Sequence, residues 1–333
     1  MARDYYLFQS GTLRRKQNTL YFENEAGRRP IPIEDVSSLY IFGELTLNTK
    51  LLSFLGQQGV PMHFFSSVHE YYMGSYYPRE HLNSGYLFVR QVEHYLQPAQ
   101  RLEIARELVA ASSDNLLRVL KYYRHRVSDA ELLPETIAAI ERDQQGLAGV
   151  RDTLELMAIE GRMRERYYHC FNAIIKLEEP FVKRVRRPPD SPINTLISFG
   201  NALLYATTLS EIYKTQLVPT VSYLHEPGAR RFSLSLDLSE LFKPLLVDRV
   251  VFKLLNNRML REGDFERALN YCYLSESGRK TFVRQYDERL SQTIEHRQLK
   301  RRVSYRRLIR LECYKLVKHL LGEQRYEGFR AWW

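Results

Sequence analysis

Apolar positions along the chain follow two different periods. From Asp4 to about Thr46 they come in short runs, Tyr5-Tyr6-Leu7-Phe8, Leu20-Tyr21-Phe22, Ile31-Pro32-Ile33 and Val36 to Phe42, rich in β-branched and aromatic residues. Turn residues such as Ser10-Gly11 and Gly27 separate them, and this pattern predicts β-strands. Asn48 is a good N-cap, and Leu51, Leu52 and Leu55 share one helical face that Gly59 closes, so a short helix is expected from Asn48 to Gln57. Pro61 to Phe65 and Tyr71 to Tyr77 read as two further strands.

From Pro98 onward the period is helical. Leu102, Ala105, Leu108 and Val109 form a stripe that Leu116, Leu117 and Leu120 continue. Pro134 opens another helix at a tolerated first-turn position, and a third is expected over Leu147 to Ile175. Four prolines (Pro180, Pro188, Pro189, Pro192) break the pattern between Lys176 and Pro192. Helices are expected again over Asn194 to Thr215, Asp237 to Leu260, Ser275 to Gln292 and Glu295 to Leu321. The expected fold is therefore α+β: a small N-terminal antiparallel β domain over 1–85, a linker over 86–97, and a larger all-α domain over 98–333.

Composition adds a class of partner. With 44% hydrophobic and 26% charged residues the chain is expected to be a folded soluble protein and not a disordered one. Its net charge of +10 favours a polyanion, either nucleic acid or an acidic membrane surface. No apolar run is long enough to span a bilayer, and the N-terminus lacks a signal-peptide core. Cys170, Cys272 and Cys313 are scattered, with no CxxC, which suits a reduced cytoplasmic protein without a zinc site.

Three stretches carry candidate chemistry. The first is Glu160, which shares a helical face with Leu156, Met157, Met163, Arg164 and Tyr167. A carboxylate in an apolar stripe needs a partner, and locally an i,i+4 pair with Arg164 is favoured over a ligand role.

The second stretch is HEPGARRFSLSLDLSELFKPLLVD, His225 to Asp248. Here Asp237 and Glu240 read as a capping box opening a helix, and Asp248 with Arg249 as surface pairs. The loop before that helix holds His225, Arg230 and Arg231. Imidazole and carboxylates beside arginines could hold Mg²⁺ or Mn²⁺ next to a phosphate.

The third is basic. Nine Lys or Arg lie between Arg297 and Lys318, Arg301, Arg302 and Arg306 among them, against the single acid Glu312. One-signed charge at that density favours phosphate contact over a solvated helix face. The run Lys183-Arg184-Val185-Arg186-Arg187, in the proline-held break, reads equally as a second phosphate contact or as a solvated connector. The aromatic tail from Tyr326 to Trp333 suits a protein contact or packing on the helical domain equally well.

Several of these stretches resemble the CRISPR-associated integrase family, the universal proteins of spacer acquisition. They are SGTLRRKQNTLYFE, IPIEDVSSLYIFGELTLNTKLLSFL, GVPMHFF, YYPREHLNSGYLFVRQVEHYL, IEGRMRERYYHCF, DSPINTLISFGNALLYATTLSEI and LHEPGARRFSLSLDLSELFKPLLVDRVVF. They run in the family's order over nearly the whole chain.

The resemblance implies a metal-dependent DNA endonuclease/integrase that inserts foreign DNA into a CRISPR array by transesterification from a 3′-hydroxyl. It assigns the metal, Mg²⁺ or Mn²⁺, to Glu160 (in a Glu-Gly pair before aromatics), His225 and Glu240, with Asp237 assisting. Some relatives carry Asp where this chain has Glu240, a shorter carboxylate of the same charge. It further implies double-stranded and branched DNA as substrate, a homodimer formed through the β domains, and a dimer of a small CRISPR-associated partner between two such dimers. Two competing readings are an architectural DNA-binding protein without catalysis, and a branched-DNA repair nuclease that integrates nothing.

Overall fold

The computed structural model describes residues 2–66, 72–77, 82–127, 131–175, 180–186, 188–228, 232–268 and 271–332. Strands β1 (Arg3–Leu7), β5 (Val36–Ile41), β7 (Met62–Phe65) and β8 (Tyr72–Tyr76) form one four-stranded sheet in the order β1-β5-β7-β8. A second sheet pairs β2 (Gly11–Lys16), β3 (Thr19–Asn24) and β4 (Gly27–Pro32) as an antiparallel meander, with β6 (Leu45–Thr46) on its edge.

The β-rich N-terminus is as expected, but not all of its pairing is antiparallel. Strand β5 runs parallel to both β1 and β7, and β6 runs parallel to β2. The connections explain this. Three strands of meander lie between β1 and β5, and helix α1 (Thr49–Gln58) lies between β5 and β7, so each link is long enough to cross over. Helix α1 forms as its sequence dictates: Asn48 Oδ1 accepts the Leu51 amide at 3.0 Å, and Gly59 ends it at φ 67°.

Strand β5 shows how the two halves join. Leu39 and Ile41 enter a core of Leu7, Leu13, Leu20, Phe54 and Leu55 within the β region. Their neighbours Tyr40 and Phe42 face the other way, into the helical core. The helices there are α2 (Gly85–Leu96), α3 (Pro98–Tyr123), α4 (Leu132–Gly146), α5 (Thr153–His169), the single turn α6 (Phe171–Ile174), α7 (Pro192–Tyr213), α8 (Ser233–Glu240), α9 (Arg249–Asn256), α10 (Glu276–Ser291) and α11 (Tyr305–Leu320). Helix α7 is buried almost all round, so it lies at the centre. Tyr40 Oη meets Thr207 Oγ1 at 3.2 Å and His63 Nε2 meets Ser210 Oγ at 2.6 Å, both on α7.

Residues 86–97, expected as a linker, lie almost wholly in α2. Ser84 caps that helix, and Leu87, Gln91 and His94 bury one face of it. The helix expected over Glu295–Leu321 begins only at Tyr305. A hairpin of β11 (Thr293–His296) and β12 (Arg301–Ser304) precedes it, because Ile294 and Val303 pair across two strands and Ser304 caps α11. A second hairpin, β9 (Phe265–Ala268) with β10 (Tyr271–Leu274), precedes α10. The tail packs on the helical region. Tyr326 and the Phe329 amide both donate to Glu312, Phe329 stacks on Phe242, and the Ala331 amide donates to Asn115. No described helix is long and apolar enough to cross a membrane.

His63 makes the joint between the halves sensitive to acid. Burial, with help from Lys214 and Arg306, lowers its pKa to about 3. The unfolded chain takes up this proton near the ordinary pKa of 6.5 and the folded chain does not, so acid favours unfolding below that value. Stability is expected to fall by roughly 1.4 kcal/mol per pH unit from this group between about pH 6.5 and 3. Denaturant midpoints measured across that range should show a flatter loss in His63→Asn than in the parent chain.

Candidate active site

Three elements bring the site together. Helix α5 begins at Asp152, whose Oδ1 accepts the Glu155 amide at 2.8 Å, and it carries Glu160 two turns later. The loop before α8 carries His225, and α8 itself carries Asp237 and Glu240. Helix α3 holds α8 in place, since Ser112 Oγ donates to the Glu240 carbonyl at 3.0 Å and Asn115 Nδ2 to the Leu241 carbonyl at 2.8 Å.

Asp237 does not open its helix. The helix starts at Ser233, so Asp237 lies inside it and is fully buried. Its carboxylate caps the neighbouring loop, where the amides of Tyr223, Leu224 and His225 donate to it at 2.7, 3.0 and 3.0 Å. Those three donors explain why the acid is drawn inward and away from a helix cap. The same carboxylate meets His225 Nδ1 at 2.8 Å. It thereby fixes the ring and leaves Nε2 as the nitrogen able to ligate. Burial opposes a charge on His225, but the hydrogen bond and charge of Asp237 outweigh it and raise its pKa.

The loop has further supports that its sequence did not reveal. Gln91 on α2 donates to the carbonyls of Val218 and Val221 and accepts the Val218 amide. Arg101 on α3 donates to the Tyr223 carbonyl at 2.9 Å and to Glu226 at 2.7 Å. Both residues lie more than 120 positions away, beyond the reach of any local pattern.

Glu240 is buried between two cations. Arg164 Nη2 donates to Oε2 and Lys243 Nζ to Oε1. Burial alone would raise its pKa, but Lys243 and Arg164 prevail and hold it at about 2, so it is ionised at any working pH. The same Arg164 guanidinium reaches Glu160 Oε1 at 3.4 Å through both Nε and Nη2. The i,i+4 pair read from the sequence is therefore present, and its arginine also joins Glu160 to Glu240, which lies 76 positions beyond Arg164.

Pro244 follows Lys243 and interrupts the helical ladder. The next segment, Pro244–Asp248, is a π-helix before α9. It buries Asp248, expected on the surface, and burial pushes that carboxyl up to about 6 despite Arg164, Tyr167 and Lys243 nearby.

The expected DNA-contacting residues divide. Lys183 and Arg186 are exposed on the loop before α7, and Arg301 and Arg302 are exposed on the β11–β12 hairpin. Arg184 turns inward and donates to Asn194 Oδ1 at 2.9 Å and Ser198 Oγ at 2.8 Å. Arg306 pairs with Asp4 at 2.5 Å and lies 3.7 Å from Asp287, and so ties β1 to α11. A buried Asp4 requires that partner, which commits Arg306 Nη2 to an ion pair within the fold. Arg187, Arg230 and Arg231 lie outside the described residues.

Among the described residues, no three His, Cys, Asp or Glu side chains are grouped closely enough to hold a metal ion as they stand. The donor set nonetheless fits a hard divalent cation. Two carboxylates converge on one positive group, and an imidazole near Glu240 is oriented by a third carboxylate.

Residues 5–288 match the family described as CRISPR associated protein Cas1. The chain is 51% identical over 332 residues to the protein named CRISPR-associated endonuclease Cas1 3 of Thermodesulfovibrio yellowstonii, a match covering 99% of this chain and 100% of that one. It resembles the solved structure of a CAS1 protein from Thermotoga maritima with a TM-score of 0.88 at 43% identity, covering 97% of this chain and 99% of that chain. A casposase bound to integration product has the same TM-score of 0.88 at 21% identity, covering 99% and 94%, a likeness of fold.

Proposed function

The chain belongs to the Cas1 family of CRISPR-associated proteins, and on that premise we propose that it is a metal-dependent DNA endonuclease/integrase acting through Glu160, His225 and Glu240. The observation that carries the reading is the sharing of one buried guanidinium by Glu160 and Glu240, beside a histidine fixed by Asp237. Carboxylates from two helices far apart in sequence repel one another unless positive charge lies between them, and Arg164 supplies that charge at the place a cation would take.

The reaction is a transesterification. The 3′-hydroxyl oxygen of an incoming DNA end attacks a phosphorus in the repeat end of a CRISPR array. A new P–O bond forms, the bond to the old 3′-oxygen breaks, and the proton lost by the attacker is matched by one gained at the released 3′-hydroxyl. The number of phosphodiester bonds is unchanged, so no energy source is consumed. Bound Mg²⁺ or Mn²⁺ would polarise the phosphate and lower the pKa of the attacking hydroxyl. The chain's own residues do the rest. Asp237 holds His225 in the ligating tautomer, and Glu240, kept ionised by Lys243 and Arg164, would receive the cation together with Glu160. Lys243 adds positive charge where the phosphoryl oxygens gain negative charge. With water as the attacker, the same arrangement nicks DNA.

The family also supports, as part of this proposal, assembly into homodimers through the β region and joining to a small CRISPR-associated partner dimer. Double-stranded and branched DNA would lie on exposed basic elements. Arg301 and Arg302 on the hairpin are expected to contact phosphates. Changing both to Glu should weaken DNA binding for all sequences alike and reduce the slope of log K against log salt by about 2. Filter binding at several salt concentrations reads this, and an unchanged slope removes the hairpin from the interface. A joining reaction with Mn²⁺, a DNA fragment with a free 3′-hydroxyl and a plasmid carrying CRISPR repeats tests the function, and no joined product from the parent chain would overturn it.

A further inference from the structure

Arg164 has more to do than an i,i+4 partner requires. Its guanidinium is almost wholly buried on α5 and lies against both carboxylates assigned to the metal. Nη2 donates to Glu240, while the contacts of Nε and Nη2 to Glu160 are long at 3.4 Å. Its third nitrogen, Nη1, is buried with no hydrogen-bond partner among the described residues. An unpaired buried N–H of a charged group is expensive, so a second, better-satisfied position should exist nearby.

Such a position is present. Asp248, in the π-helical segment that follows Lys243, is buried, and its Oδ2 also has no hydrogen-bond partner among the described residues. Asp248 and Arg164 are close enough for each to bear on the other's charge. No step of the reaction uses Asp248. An unpaired donor and an unpaired acceptor of opposite charge therefore flank the same site, separated by the present commitment of Arg164 to Glu240.

We propose that Arg164 is a positioning residue that holds the place of the metal: its guanidinium keeps Glu160 and Glu240 convergent, and on arrival of a divalent cation it moves to Asp248. The driving force is electrostatic. A cation bound to Glu240 neutralises the charge that holds Arg164 and repels the guanidinium, while Asp248, beside the Tyr167 hydroxyl, offers a buried carboxylate with Oδ2 unpaired. Arg164 and the cation thus compete for one space. The α5 arginine prevents the carboxylates from splaying apart, at the cost of weaker metal binding. Asp248 lowers that cost by receiving the displaced charge.

The proposal rests on the metal reading of the site, and one titration separates the two. Mn²⁺ is titrated calorimetrically into the full-length chain, the parent beside Arg164→Met, Asp248→Asn and Glu240→Gln, with melting followed with and without Mn²⁺. Arg164→Met is expected to melt lower without Mn²⁺ and to bind Mn²⁺ tighter by roughly tenfold or more, because the competitor is gone. Asp248→Asn is expected to melt no lower than the parent without Mn²⁺ and to bind Mn²⁺ more weakly by roughly tenfold, because the displaced guanidinium has no anion to receive it.

A residue that merely braces α5 would give the opposite sign for Arg164→Met, weaker Mn²⁺ binding, and that result or an unchanged affinity overturns the proposal. Should Arg164→Met fail to fold, Asp248→Asn decides alone, and an unchanged affinity there overturns it. If the parent binds no Mn²⁺, the metal reading fails and takes this proposal with it. If the parent binds Mn²⁺, Glu240→Gln does not, and Arg164→Met is no tighter, this proposal alone fails.

Discussion

Glu240→Gln is expected to lower DNA joining by about 100- to 1,000-fold, the usual cost of removing one charged contact to a reacting phosphate or its metal. The change removes one charge and little volume. Glu240 is ionised throughout the working pH range because Lys243 and Arg164 outweigh its burial, so the neutral amide cannot mimic it at any pH. Its loss has a second effect, on stability. Lys243 and Arg164 would remain buried with less negative charge between them, and breaking a buried pair costs about 3–5 kcal/mol. Activity must therefore be measured well below the variant's unfolding midpoint. DNA affinity should persist, because the exposed arginines of the hairpin and of the loop before α7 are untouched. If joining and DNA affinity fall together, Glu240 supports the fold and not the chemistry.

Arg306→Met is expected to destabilise the chain by about 3–5 kcal/mol and to leave the salt dependence of DNA binding unchanged. Arg306 pairs with Asp4, which is fully buried at the start of β1 and whose carboxyl burial pushes upward. Nearby, Arg310 at 2.6 Å and Lys214 at 3.5 Å pair with Glu211 on α7. Together these groups hold the first sheet against the helices. Removing one member leaves a buried charge without its counterpart, whereas the pair Asp4→Asn with Arg306→Met should recover most of the loss. Urea midpoints of the single and double variants read this directly. A lowered DNA salt slope with unchanged stability would instead return Arg306 to the DNA interface.

The sequence was informative where the physics is local. Short strands, the Asn48 cap, the Gly59 stop and the long helices all follow from neighbours within a few positions, and the structure has them. It misled where a distant partner decided the outcome. Asp237-Leu-Ser-Glu240 has the spacing of a helix start, but three amides from 12 to 14 positions upstream draw Asp237 into the helix interior. Arg306 and Arg310 belong to a basic run whose members Arg301 and Arg302 are exposed, and distant acids turn the two inward: Asp4, 302 positions away, and Glu211, 99 positions away. Parallel pairing of β1, β5 and β7 depends on which strands meet, and no strand records that in its own residues. Glu160 is intermediate: its partner Arg164 could be read locally, but the reach of that arginine to Glu240 could not.

The most direct test of the account is a joining reaction with Mn²⁺, a labelled DNA fragment with a free 3′-hydroxyl and a supercoiled plasmid carrying CRISPR repeats, run with the parent chain and Glu160→Ala. Joined product is expected with the parent, none when Mn²⁺ is withheld, and none with Glu160→Ala despite retained DNA binding. Equal joining by the parent and Glu160→Ala, or joining that persists without a divalent cation, would contradict it.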